Sequence, residues 1–111
     1  MKRYKMVVLT NPLDDRHEEF NDWYDNRHLA DLLDLEGMES AQRYRLKLGD
    51  GWTYMAIYDV ETDDLDALMA EMYRRVDSKE IYMSPAFDEN YLLVAGEEIG
   101  EVVLPRQKRA G

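Results

Sequence analysis

The chain has 111 residues, no cysteine, 45% hydrophobic residues and a formal net charge of −10. That size accommodates one domain with one core, expected over residues 1–104 with a basic tail over 105–111 carrying Arg106, Lys108 and Arg109. The missing cysteines exclude disulfides, thiolate metal sites and cysteine nucleophiles, with a reducing cytoplasm as the simplest setting, and the negative field makes nucleic acid an unexpected partner.

Residues 3–10 form an apolar, β-prone run closed by Asn11-Pro12, far too short for a signal or membrane segment, so a first strand and no membrane contact are expected. Asp14 or Asp15 is suited to cap a helix whose first turn holds Glu18 and Glu19, and that helix should run from about Asp15 to about His28. Leu29 to Leu35 makes a further short turn or helix, ended by Gly37. Met38 to Leu48 alternates loosely, Gly49-Asp50-Gly51 signals a hairpin, and Trp52 to Val60 returns as a strand. Asp63 or Asp64 caps a second helix with Leu65, Leu68, Met69, Met72, Tyr73 and Val76 at core spacing. Tyr91 to Ala95 is the last strand, with an extension through Ile99 and Val102 to Leu104 broken at Gly100.

The order β-α-β-β-α-β specifies an α+β, ferredoxin-like arrangement: a four-stranded antiparallel sheet with two helices on one face. The strands carry apolar residues at both phases, such as Met6 and Val8 against Val7 and Leu9. A sheet apolar on both faces with helices for only one implies a homodimer closing sheet to sheet.

The most chemical stretch is the first helix. At 3.6 residues per turn Phe20, Trp23, Tyr24, Arg27 and His28 share one stripe, with Asp22, Asp25 and Asn26 beside or behind it. His17 and His28 lie about 16 Å apart along a helix, so they do not share a metal, and no metal site is expected. No glycine-rich phosphate loop, dinucleotide fingerprint or nucleophile elbow occurs, and no cofactor is expected.

Phe20, Trp23-Tyr24, Asp25 and His28, followed by Leu29-Ala30-Asp31-Leu32-Leu33, Gly37-Met38 and Gln42-Arg43-Tyr44, resemble the EthD-like members of the dimeric α+β barrel superfamily, over roughly residues 3 to 100. That superfamily spans cofactor-free monooxygenases, haem-degrading enzymes, polyketide cyclases, muconolactone isomerases and dehydratases, so the resemblance implies fold more strongly than reaction. It implies a ligand cavity between sheet and helices, with His28 facing it and Tyr24 one turn earlier. Ala30 departs from the pattern, since a proline often follows the histidine by two, and the helix is expected to continue differently here.

His28 is the candidate acid/base, because an ordinary imidazole accepts and returns a proton near neutrality. Asp25 and Asp31, three positions to either side, are candidate orienting partners that would raise its basicity; the alternative is a cationic cap at the helix end. Tyr24 is placed to donate to a substrate oxygen or simply to pack against the sheet. Arg27 would neutralise an enolate or pair with Asp31 at the surface. Phe20 and Trp23 are core or an apolar pocket wall, and Tyr44, Tyr54 and Tyr58 line either a cavity or the dimer face. The leading expectation is an isomerase, cyclase or lyase that moves a proton on a small hydrophobic, aromatic or lactone-like metabolite without a nucleotide cofactor. A cofactor-independent monooxygenase is a variant of it, and a non-catalytic binding or accessory protein is the competing class.

Overall fold

The computed structural model describes residues 1–106; the tail residues Lys108 and Arg109 lie outside the described residues. Strands β1 (Lys2–Thr10), β2 (Met38–Arg45), β3 (Tyr54–Thr62) and β4 (Leu92–Glu97) form one antiparallel sheet in the order β2-β3-β1-β4. This is the α+β, ferredoxin-like topology that the element order specifies. The last strand ends at Glu97, and 98–106 do not extend the sheet; Ile99, Val102, Val103 and Leu104 are exposed. The hairpin is wider than expected, because residues 46–53 all belong to the connection, with Asp50 and Gly51 at positive φ.

Period two decides the faces. Met6, Val8 and Thr10 of β1 and Tyr54, Ala56, Tyr58 and Val60 of β3 are buried toward the helices. The opposite phase, including Val7, Leu9, Met55 and Ile57, forms an apolar outer face, joined by the exposed Tyr44, Leu92 and Val94.

The first helical unit departs from the expected span. Asp14 and Asp15 sit at positive φ in a short 3-10 turn (Leu13–Asp15), so neither caps the helix, and Arg16 occupies the cap position. The helix then runs as α1 (His17–Trp23), a π-helical turn (Tyr24–His28) and α2 (Leu29–Leu33) without a break. His28 is therefore inside a helix, and the C-terminal cap alternative does not apply. Without proline at 30 no clash interrupts the chain after His28. Gly37 at φ +103 makes the turn into β2, where a side chain would be strained and its Cβ would stand 3.1 Å from the Glu61 carbonyl oxygen.

The second helix, α3 (Leu65–Asp77), buries Leu68 and Met72, while Tyr73 is half-exposed rather than core. Asp64 is its cap, its carboxylate accepting from the Ala67 N–H at 3.0 Å. Asp64→Ala is expected to lower stability by about 1 kcal/mol, read as a shift in the urea midpoint with unchanged slope.

Candidate functional site

The π-turn decides which side chains of the first helix face inward. A turn closed by i→i+5 bonds holds more residues per revolution, so it lags the ordinary helical angle. His28 is thereby brought back nearly in line with Tyr24 and Phe20, while Arg27 falls short and swings out. Phe20, Trp23, Tyr24 and His28 are buried, whereas Arg27 is exposed and donates from Nε to Asp31 at 3.0 Å. Arg27 therefore lies off the stripe that an unbroken α-helix would give it.

Between this helix, α3, the 79–91 loop and the sheet lies a cavity of about 350 Å³. Val8 and Leu93 form its sheet wall, Met72 and Val76 its α3 wall, and Met83 and Phe87 its loop wall; Tyr24 and His28 enter from the first helix. Its lining is predominantly apolar with few polar groups, which is the character of a small-molecule site. Two of the larger depressions, one of about 860 Å³ beside the 46–52 hairpin and one of about 490 Å³ beside Glu36 and Glu71, are more open and contain no buried titratable group, and an adjoining cleft of about 470 Å³ beside Lys79 and Ile81 is lined by neither His28 nor Tyr24.

His28 is only 7% exposed and its ring stacks on Trp23 at 4.4 Å. Its Nδ1 is buried without a hydrogen-bond partner, and the residue lines the cavity. Burial pushes its pKa down to about 4, with the Arg43 charge acting the same way and Asp31 opposing. The imidazole is thus neutral at neutral pH, the reverse of the raised basicity expected from flanking carboxylates. Neither carboxylate bonds the ring: Asp25 accepts from Arg43 Nη1 at 2.9 Å, and Asp31 is engaged by Arg27.

Tyr24 also lines the cavity, and its hydroxyl lies 3.3 Å from that of Tyr58. Burial raises the pKa of both phenols, Tyr58 further, so both stay protonated. One hydroxyl donates to the other, which leaves one O–H of the pair available to a further acceptor.

The other pocket candidates are placed elsewhere. Phe20 and Trp23 are packed core, in edge contact with each other at 5.7 Å. Tyr54 and Tyr58 lie on the helix side of β3 but behind the cavity, Tyr54 stacked on Phe20 at 5.7 Å. Tyr44 is on the outer face of the sheet, in register with Met55.

Arg43 was not among the site candidates. Its guanidinium lies 4.4 Å from the Tyr24 ring centre, and its Nη2 donates to Asn21 Oδ1 at 2.8 Å. The bulge between Met38 and Ser40 puts Arg43 in phase with Ala41 on the helix face, whereas the alternation of the sequence sets it with the charged Glu39, Arg45 and Lys47 against Met38 and Tyr44. The loop wall, Met83, Phe87 and Glu89, had no periodic signal. Among the described residues no group of three or more histidine, cysteine or carboxylate side chains is arranged to hold a metal ion, and no helix is long and apolar enough to cross a membrane.

No protein-family model matches the chain, and no curated relative matches it. A solved structure does: the ethyl tert-butyl ether D (EthD) family protein of Bacillus halodurans has a TM-score of 0.56 and 18% identity, with 89% of this chain and 100% of that chain covered. The fold of this chain is EthD-like.

Proposed function

We propose that this protein is a small-molecule enzyme that moves a proton on a small hydrophobic, aromatic or lactone-like metabolite, as an isomerase, cyclase or lyase, with the 350 Å³ cavity as its site. The observation that carries this reading is His28, a buried imidazole at the wall of an apolar cavity with no intramolecular hydrogen bond to Nδ1. Because it rests neutral, it acts first as a base, accepting a proton on the imidazole and returning it to the same bound substrate. Negative charge developing on the substrate offsets the cost of forming an imidazolium there. The Tyr24–Tyr58 hydroxyl pair supplies a donor for a developing oxyanion. Arg27 and Asp25 have no part in this step, being engaged at the surface with Asp31 and Arg43.

The apolar outer face of the sheet supports a homodimer in which a second copy covers Val7, Leu9, Met55 and Ile57. The competing reading, a ligand-binding or accessory protein without turnover, is favoured by the low basicity of His28.

Wild type and His28→Gln are to be compared by thermal shift against phenols, quinones, lactones and aromatic acids. A ligand at 100 times its dissociation constant adds about 2.7 kcal/mol. An enzyme shows a ligand that stabilises both proteins and is converted only by wild type. Stabilisation with no conversion by either protein means a binding protein.

A further inference from the structure

We propose that the cavity selects uncharged ligands, an apolar body bearing a hydroxyl or carbonyl, and excludes the carboxylate of the same skeleton. The inference rests on the cavity being the ligand site. Its physical basis is the charge inventory of the walls. Among the described residues the only formally charged one lining the cavity is Glu89, at the exposed rim, and an anion entering there meets repulsion.

Among the described residues no lysine or arginine lines the cavity. Arg43 donates from Nη1 to Asp25 and from Nη2 to Asn21, with its face on Tyr24 and its Nε buried without a partner, and it does not line the cavity. Arg27 pairs with Asp31 and lies 5.3 Å from the Tyr82 ring centre, outside. Arg75 is paired to Glu71 on the far groove of α3. Lys79 borders an adjoining cleft that shares Val76, Met83, Phe87 and Glu89 with the cavity, so Glu89 stands between it and the ligand space.

The other polar side chains lining it among the described residues are neutral: His28, Tyr24, and Tyr73 and Tyr91, whose hydroxyls lie 3.4 Å apart. Such groups satisfy one alcohol or carbonyl. They do not compensate the desolvation of a carboxylate, whose burial without a counter-charge is strongly unfavourable.

The test uses one skeleton in three forms, cinnamyl alcohol, methyl cinnamate and cinnamate, titrated calorimetrically into the full chain at neutral pH. The alcohol and the ester are expected to bind at least about 10-fold more tightly than the carboxylate. Tyr73→Lys, at a half-exposed rim position where the new ammonium stays in water, is expected to narrow that ratio. Cinnamate binding as tightly as its ester to wild type overturns the selectivity while leaving the cavity as a ligand site. No binding by any of the three, in wild type or variant, overturns the inference together with the site reading beneath it.

Discussion

Trp23→Ala is expected to destabilise the fold by about 3–5 kcal/mol, among the largest losses a single side chain produces. The indole is 6% exposed and makes ring contacts with Phe20, Tyr24, His28 and Phe87 at 4.4–6.0 Å. It is also a tether, because Nε1 donates to the Tyr82 carbonyl at 3.0 Å and thereby holds the 79–91 loop against the first helix. A second tie, Leu13 N–H to the Ala86 carbonyl at 2.7 Å, holds the other end of that loop. Removing the indole leaves a void under His28 and frees the wall that carries Met83 and Phe87. Trp23→Phe keeps most of the ring contact but loses the hydrogen bond, for about 1 kcal/mol on that account. Urea unfolding of the two variants separates the terms. A Trp23→Ala loss below 1 kcal/mol would show that the loop is held without the indole.

The second large effect is on the acid side of the stability curve. His28 has a folded pKa of about 4 against its usual 6.5, depressed mainly by burial. Between those values the unfolded chain binds a proton that the folded chain refuses, so stability rises with pH across the window. The full stability is present above pH 6.5 and is lost progressively as pH falls to 4, by about 3 kcal/mol. Below pH 4 both states carry the charge and this contribution stops changing. The lowered carboxylates act further down: Glu71, held at about 2 by Arg74 and Arg75, and Asp59, held down by Lys5 and Ser40, lose their contributions chiefly below their usual values. His28→Gln has no such proton to bind and is expected to flatten the curve between pH 6.5 and 4, as measured by urea midpoints over a pH series. Parallel curves for wild type and variant would mean that the imidazole is hydrated in the native state.

The apolar pattern of the chain determined the architecture. Four β-prone runs, two amphipathic helical stretches and their turn residues specify β-α-β-β-α-β, and right-handed crossovers leave the observed sheet order as the economical solution. The Asp64 cap was legible because a carboxylate three residues before an N–H of the first turn is a local relation. His28 and Tyr24 were legible as an inward pair because four residues of helix bring two side chains to one face. The inward phase of Arg43 was not legible: the alternation sets Arg43 with Glu39, Arg45 and Lys47 against Met38 and Tyr44, and the bulge between Met38 and Ser40 reverses that phase.

Other features depended on contacts between distant segments. Arg27 left the inward stripe because of a π-turn, whose extra residue carries no propensity signal and is retained where burial of Trp23, Tyr24 and His28 outweighs a poorer backbone ladder. Asp14 and Asp15 failed as caps because the chain turns tightly there to bond Ala86, about seventy residues on. Tyr44, Tyr54 and Tyr58 share aromatic character, and only strand register assigned Tyr44 to the outer face and the other two to the core. The sense of the His28 pKa shift was likewise tertiary. In sequence Asp25 and Asp31 flank it and argue for a stronger base, but the local pair with Arg27 already takes Asp31, strand β2 brings Arg43 to Asp25, and burial dries the ring. Local periodicity thus determined which residues lie on which element, and the long-range packing that excludes water decided their charge and their partners.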